Sequence, residues 1–261
     1  MYQVYCSSLY NAFIKELRKN ANLSIRQFSE ICNLSTGTLS SFENSDNILQ
    51  NEKTEKLLQY YGYNVGEIID FDVEFSRLFY EFIHHAVYVQ HDLIDDSHEM
   101  LMNLLKRYEN TALYLGYHII NLFYSIYKDD YFDFDLKYIM KYIDYVSVDI
   151  QSLFYTYLGR YYTKINSFDQ ARKSFEKAQS AIAIDDTYSE MFHYTIANYY
   201  MRIGDIHLSI KHSELGIGLF VRKHNFRRLI NSNILLANQF FKNEKLSEST
   251  QREFGEFKFS K

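Results

Sequence analysis

Residues 155–178 read YTYLGRYYTKINSFDQARKSFEKA and carry the strongest structural signal in the chain. Large and small residues recur in this stretch at helical spacing, and the positions that define the pattern are Tyr155, Leu158, Gly159, Tyr162, Ala171, Phe175 and Ala178. The small Gly159 and Ala171 let two antiparallel helices approach closely, while the larger residues fill the space around them. One helix pair of this kind cannot bury its faces alone, so the pattern predicts a stack of pairs with a concave, peptide-binding groove.

The pattern recurs twice more along the chain. The second copy is defined by His193, Ile196, Ala197 and Tyr200, and the third by Leu236, Ala237 and Phe240. The predicted turns of the three copies lie at residues 164–168, 202–206 and 242–246. Together the copies resemble tetratricopeptide repeats. We therefore expect an all-α fold whose C-terminal part is a tetratricopeptide-like superhelix.

The composition favours a helical protein of the cytoplasm. The 261 residues include no proline, and 47% of them are hydrophobic, which is enough for a large core. No apolar run is long enough to span a membrane, and the N-terminus does not resemble a secretion signal. Cys6 and Cys32 are too few for a disulfide framework. These features predict a cytoplasmic protein in a reducing setting, with no membrane association.

The N-terminal part predicts a separate set of short helices. Apolar spacing indicates helices over residues 8–20, 36–43, 52–61 and 65–69. Ser24 and Gln27 have the spacing of a capping box at the start of another helix, and Ser35 is a cap for the third. Asn33 suits a left-handed turn between the second and third helices, and residues 44–47 suit a loop.

This arrangement resembles the Xre/Cro-type helix-turn-helix, and the matching positions are Leu23-Ser24, Phe28, Leu34-Ser35, Thr38-Leu39-Ser40 and Phe42-Glu43. Joined to C-terminal repeats, it resembles the Rgg/PlcR/PrgX (RRNPP-type) group of peptide-sensing transcription regulators. The resemblance implies a DNA-binding domain at residues 1–66 and a repeat domain for peptide binding and dimerisation at residues 67–261. It also implies a cytoplasmic homodimer that binds double-stranded promoter DNA and responds to a short imported signalling peptide.

The resemblance places the DNA-binding residues at the second and third helices, and they are Arg26, Gln27, Ser35, Thr36, Gly37, Thr38 and Ser41. Backbone N–H groups at the two helix N-termini would hold phosphates. The third helix carries no Lys or Arg, although phosphate neutralisation dominates DNA affinity. Two alternatives therefore remain open. One is a protein-binding scaffold or antagonist whose degenerate helix-turn-helix does not read DNA, and the other is a peptide-controlled enzyme regulator that sequesters a partner protein.

Three polar residues hold the same position in the three repeats, one residue after the small residue, and they are Arg160, Asn198 and Asn238. In a tetratricopeptide stack this position faces the concave groove. An asparagine there can donate to and accept from a peptide backbone, and Arg160 can hold a carboxylate. Secondary peptide-binding candidates are Tyr117, Tyr194 and Asn231. The alternative to peptide binding is that these residues lie on an ordinary polar helix face in contact with solvent.

The remaining polar clusters suit structural roles better than metal binding or catalysis. The group His84, His85, His91 and Asp92 lacks the i, i+4 spacing of a helical metal site. Paired aspartates at residues 95–96, 129–130 and 185–186 suit helix capping. The basic run at residues 222–228 suits a solvated face or a dimer contact better than a DNA contact. We expect no catalytic residue, no metal and no cofactor, and therefore no enzyme.

Overall fold

Several helices begin where the sequence supplies a cap. The computed structural model describes residues 4–44, 52–130 and 132–256. Ser24 and Gln27 form the predicted capping box, in which the Ser24 side chain accepts from the backbone of Gln27 and the Gln27 side chain accepts from the backbone of Ser24. Asp135 and Asp205 cap two later helices in a similar way. Such caps satisfy backbone donors that have no partner within the helix.

Every regular element in the described ranges is helical, which confirms the all-α prediction. The α-helices are α1 (Ser7–Asn20), α2 (Ile25–Ile31), α3 (Thr36–Asn44), α4 (Glu52–Gln59), α5 (Val65–Val87), α6 (His91–Leu105), α7 (Leu115–Lys128), α8 (Leu136–Tyr142), α9 (Val148–Lys164), α10 (Phe168–Ile182), α11 (Ser189–Ile203), α12 (Ile206–Arg222) and α13 (Phe226–Glu256). Three short 3-10 helices lie at Lys106–Tyr108, Ala112–Tyr114 and Ile143–Tyr145. None of the described helices has the length and apolar character needed to cross a bilayer.

Prediction and structure agree closely for the first four helices. The next helix, α5, continues to Val87, far beyond the predicted end at residue 69. Its apolar face continues through this whole length, with Phe71, Phe75 and Phe79 recurring every four residues. The predicted loop at residues 44–47 lies, beyond Asn44, outside the described residues.

The chain divides into two compact units, Met1–Ala86 with Gln90–Gln151 and Val87–Val89 with Ser152–Lys261. The first unit has an aromatic core. Phe75 lies 5.5 Å, centroid to centroid, from both Phe71 and Phe79, and all three rings are buried. Phe13 of α1 and Phe28 of α2 are fully buried in the same unit. The predicted functional domains, residues 1–66 and 67–261, stay a prediction.

Residues that precede α1 are held by later helices of the same unit. Tyr5 is buried, and its ring stacks on Phe75 with 4.7 Å between centroids. The Tyr5 hydroxyl donates to the Leu113 carbonyl at 2.8 Å and accepts from the Gly116 N–H at 2.9 Å. Tyr5 also forms an isolated antiparallel bridge with Val146. A Cβ at Gly116 would lie 2.5 Å from the Phe75 ring, so the close approach requires glycine.

The second unit consists of helices that pack in chain order. α10 packs against α11, and α12 packs against both α11 and α13. The ring of Phe175 in α10 lies against Gly159 in α9, where an added Cβ would come within 2.6 Å of it. Ala171 and Ala178 are fully buried. The close helix approach predicted for residues 155–178 is therefore confirmed.

The third predicted repeat is wrong in detail. The predicted turn at residues 242–246 lies within α13, which runs without a break to Glu256. These five residues include no Gly or Pro, so nothing in them ends a helix. Among the described side chains of α13, Arg228, Ser232, Leu235 and Gln239 are buried, whereas the predicted inward positions Ala237 and Phe240 are exposed.

Candidate nucleic-acid interface and peptide-binding surface

The N-terminal ends of α2 and α3 present the predicted DNA-binding residues. All seven are exposed except Thr38, which is half-buried. Ser35 caps α3, because its Oγ accepts from the backbone N–H of Thr38 at 3.0 Å, and the two hydroxyls share a hydrogen bond of 2.8 Å. Asn33 takes the predicted left-handed conformation, with φ of 53°, and turns the chain from α2 towards α3. Since α2 packs against α3, both N-termini belong to one local structure.

Arg26 is the basic member of this set. Its Nε donates to Glu30 Oε1 at 3.1 Å, and the side chains are 84% and 65% exposed. Such an exposed pair is weak, so the guanidinium can exchange the carboxylate for a phosphate. Gln27 uses its Oε1 in the capping box, where that oxygen accepts from the Ser24 N–H at 2.9 Å. The capping bonds leave the amide nitrogen of Gln27 as a donor for a phosphate.

A buried ion pair fixes α3 against α1. Arg18 donates to both carboxylate oxygens of Glu43, at 2.6 Å from Nε and 2.8 Å from Nη2. Its Nη1 also donates to the Leu23 carbonyl at 2.7 Å, just before the capping box of α2. The hydrogen bond to Glu43 raises the pKa of Arg18 above its ordinary value. One side chain therefore connects α1, α3 and the start of α2, which holds the two exposed N-termini in place.

The first two peptide-binding candidates of the repeats lie half-buried in the second unit. Asn198 of α11 donates from Nδ2 to the Tyr194 carbonyl of the same helix at 2.8 Å. This bond uses one amide donor and leaves the Oδ1 acceptor for a ligand. Arg160, in α9, is half-buried as well.

Aromatic and cationic groups surround Tyr194. Its ring lies 6.3 Å from that of Phe220 in an edge-to-face arrangement, and the Arg228 guanidinium lies 5.6 Å from its centroid. Arg228 was not among the predicted site residues. The Phe220 ring and the Arg228 guanidinium therefore hold the Tyr194 ring in place on the second unit.

The other candidates occupy different surroundings. Asn231 and Asn238 are exposed on α13, and Ala237, the small residue before Asn238, is exposed instead of buried. The positions that correspond to Ala237 in the other two repeats, Gly159 and Ala197, pack against their neighbours. The third repeat is therefore not packed in the same way as the first two. Tyr117 lies in the first unit, where its ring stacks on Tyr114 at 4.4 Å.

Comparison with known proteins bears on the N-terminal part. Residues 14–68 match the sequence profile of the Helix-turn-helix family. This segment is a helix-turn-helix domain. The match spans α2 and α3 and includes every predicted DNA-binding residue, from Arg26 to Ser41.

A search of curated proteins gave no match. Among solved structures, the chain is similar to the crystal structure of the SHP pheromone receptor Rgg2(C45S) of Streptococcus dysgalactiae. The identity is 12%, the alignment covers 85% of this chain and 96% of that chain, and the TM-score is 0.35.

Outside the helix-turn-helix, the basic run at residues 222–228 has an intrachain role that the sequence did not predict. Lys223 Nζ lies 2.6 Å from Glu190 Oε2, which is buried. Arg228 Nε and Asn225 Nδ2 each donate to the Val87 carbonyl at 3.0 Å, at the C-terminal end of α5. Cations and amide donors are favourable there because the last carbonyls of a helix lack intrahelical partners. Asn225 is the one residue of the run whose type indicated a structural role, because asparagine is a good helix cap. It caps α13 by accepting from the Arg228 N–H at 3.1 Å.

The remaining polar clusters form local and interhelical contacts. In the described residues no group of three or more His, Cys, Asp or Glu side chains could hold a metal ion. Asp185 accepts from the Thr187 backbone at 2.8 Å, just before α11, which fits a local cap. Asp95 and Asp96 lie inside α6, so the predicted helix-boundary position is wrong for this pair. Asp95 binds Tyr124 and Lys128 of α7 instead, at 2.7 Å and 2.8 Å.

The outward side of α13 carries an apolar stripe. Its residues, each more than half exposed, are Phe226, Ile230, Ile234 and Phe241. The helical period places them opposite the buried face formed by Arg228, Ser232, Leu235 and Gln239. Exposed apolar side chains that lie together on one helix face are typical of interaction surfaces.

Proposed function

We propose that the protein is a transcription regulator that binds promoter DNA through its helix-turn-helix as a homodimer, and that a short peptide bound to the second unit switches it. One observation carries the DNA-binding part. The family match at residues 14–68 coincides with two helix N-termini whose polar residues are exposed and whose positions are fixed by the buried Arg18–Glu43 pair.

The peptide-binding part rests on the second unit. Asn198 and Tyr194 offer an amide acceptor and an aromatic ring on one helix, and Arg160 adds a cation in α9. These groups suit the backbone, a side chain and a carboxylate of a short peptide, respectively. Peptide that binds one conformation of the dimer better than another would shift the population of DNA-binding states.

The dimer rests on the apolar stripe of α13. Four apolar side chains that are each more than half exposed in a single chain would be buried in a two-fold contact between copies. A dimer would present two helix-turn-helix domains to half-sites separated by one or more turns of DNA.

The experiment that tests DNA binding is a mobility shift with the gene's own upstream DNA at several salt concentrations. Affinity should fall steeply with salt, because phosphate contacts release counterions. Arg26→Ala should weaken binding to all sequences and reduce the salt dependence, whereas Thr38→Ala should change sequence preference. Arg172→Ala is the matched control, since Arg172 also forms an exposed i, i+4 pair, with Glu176, but lies in α10. Absence of a shift at low salt across the flanking DNA would contradict the proposal.

The alternative function is a protein-binding scaffold or antagonist with a helix-turn-helix that does not read DNA. The observation that favours it is the sequence of α3, Thr36–Asn44, which contains no Lys or Arg. A protein of that kind would fail in the shift experiment at every salt concentration while still forming its protein contacts.

A further inference from the structure

A cavity of about 580 Å³ lies within the first unit, on the side of the helix-turn-helix formed by α1 and the C-terminal end of α3. Its third wall comes from α8 and the 3-10 helix at Ile143–Tyr145. The charged residues that line it are Lys15, Glu16, Lys19, Glu43 and Lys141. None of the predicted DNA-binding or peptide-binding residues lines this cavity.

Both carboxylates of the cavity wall have a cationic partner, and Glu16 keeps one oxygen, Oε2, without a hydrogen bond among the described residues. Glu43 accepts two hydrogen bonds from Arg18, and both of these side chains are buried. Glu16 Oε1 accepts from Lys141 Nζ at 2.8 Å and also from the Tyr142 hydroxyl. The negative charges of the lining are therefore balanced by Arg18 and Lys141.

Lys15 and Lys19 differ from Lys141 in their partners within the described part of the chain. The Lys15 Nζ donates to Asn44 Oδ1 at 2.9 Å, and an amide oxygen carries no net charge. Among the residues that the structure describes, no carboxylate pairs with either lysine. The two lysines are four residues apart on one face of α1, where like charges repel each other. The described charged residues of the lining, counted together with Arg18, thus have a surplus of two positive charges in a chain whose net charge is −5.

We propose that this cavity binds a small organic anion with two negative charges, such as a phosphate monoester or a dicarboxylate. Two ammonium groups one helical turn apart can each bind an anionic oxygen, and the anion removes the repulsion between them. The volume is in the range of small-molecule sites. Tyr142 and Tyr145 also line the cavity and offer ring surface for the organic part of the ligand. This site is independent of the proposed peptide response.

The test is isothermal calorimetry with the full chain at constant ionic strength. Adenosine 5′-monophosphate and succinate are the probes for the two sources of a dianion, and adenosine and chloride are the neutral and salt controls. At least one probe should bind more tightly than chloride and adenosine. The Lys15→Gln/Lys19→Gln variant should lose at least about ten-fold in affinity for that probe, because charged hydrogen bonds of this kind are strong.

A matched control is available in Lys173→Gln/Lys177→Gln, a pair of exposed lysines with the same spacing on α10. It should bind within about two-fold of wild type. Lys19→Gln alone, at an exposed position, should fold normally and lose affinity in the same direction. The proposal is wrong if neither probe binds better than chloride, or if the Lys15/Lys19 variant keeps wild-type affinity.

Discussion

The Nδ1 atoms of His193 in α11 and His212 in α12 lie 2.9 Å apart, so one ring donates a hydrogen bond and the other accepts it. The His212 ring also stacks on Tyr200 at 5.5 Å. Burial, and secondarily His212, lowers the pKa of His193 from 6.5 to about 4. Burial, and secondarily the neighbouring Lys211, lowers the pKa of His212 as well. The folded protein therefore favours the neutral pair.

This pair should make stability depend on pH. The unfolded chain takes up a proton at His193 near pH 6.5, whereas the folded protein takes it up only near pH 4. The contribution of neutral His193 to the free energy of unfolding is fully present above pH 6.5 and is lost as the pH falls towards 4. Between pH 7 and 5 the loss should be about 1 kcal/mol, reduced from the fully buried case because the pair is partly solvated. Thermal melts of wild type and His193→Gln should show a smaller pH dependence in the variant. His207→Gln, at an exposed position on α12, should follow wild type.

Breaking the buried ion pair of the helix-turn-helix should be costly. Glu43→Gln leaves the Arg18 guanidinium buried without a countercharge, and we expect a loss of about 3 kcal/mol in the free energy of unfolding. The matched control is Glu30→Gln, which removes the carboxylate from the exposed pair with Arg26 and should change stability by less than about 0.5 kcal/mol. Urea unfolding measures both. Equal effects of the two substitutions would refute the assigned role of Arg18.

Two glycines of the second unit should respond to alanine with opposite signs. Gly159→Ala places a methyl group 2.6 Å from the Phe175 ring and should destabilise the protein by about 1–3 kcal/mol. At Gly218, inside α12, an added Cβ meets nothing within 4 Å, so Gly218→Ala should stabilise by about 0.5–1 kcal/mol. Melting temperatures compare the two. A neutral Gly159→Ala variant would show that the helices are not packed as closely as described.

Dimerisation should depend on the stripe of α13. Light scattering should give about twice the chain mass of 31.3 kDa for wild type. Ile230→Glu/Ile234→Glu puts two charges into the proposed contact and should give the monomer mass, since buried unpaired charges are very costly. Ile184→Glu is the control, because Ile184 is 77% exposed but lies outside α13. A wild-type monomer at micromolar concentration would exclude the proposed two-fold contact.

Peptide binding should depend on the asparagines of the second unit. Asn198→Ala should weaken binding by about ten-fold, because Asn198 is half-buried and its loss would leave a polar group of the peptide without a partner. Asn238 is exposed, so Asn238→Ala should weaken binding less. The probes are synthetic peptides encoded by short reading frames beside the gene. Asn233→Ala is the control, because Asn233 is also on α13 and donates to its own helix at 2.9 Å. Normal binding by both Asn198→Ala and Asn238→Ala would rule out the clamp, and normal binding by Asn238→Ala alone would restrict it to α11.

The features predicted correctly from sequence are those that local rules determine. A capping box at Ser24 requires only two residues three positions apart, and the left-handed turn at Asn33 requires only one residue type. The Gly159–Phe175 approach depends on two neighbouring helices with a short connection. In each case the partners are close in sequence, so their spacing is informative.

Contacts between distant residues were not predictable in this way. The Val87 carbonyl binds Asn225 and Arg228, which are far away in sequence, and nothing in the basic run indicates that partner. The third repeat failed for another reason. Apolar residues recur at helical spacing on both faces of α13. The buried face, which includes the polar Gln239, could therefore not be distinguished by sequence from the exposed stripe.

The position of Tyr5 has a consequence for evolution by domain shuffling. A helix-turn-helix that moves between proteins as an independent module must carry its own core. Here Tyr5, two residues before the first helix, forms hydrogen bonds with Leu113 and Gly116, and its ring lies on Phe75. A chimera that joins residues 4–66 to an unrelated helical body would leave the Tyr5 hydroxyl without these partners. The helix-turn-helix and the helices that follow it in the first unit are therefore expected to change together during evolution and to be inherited as one piece.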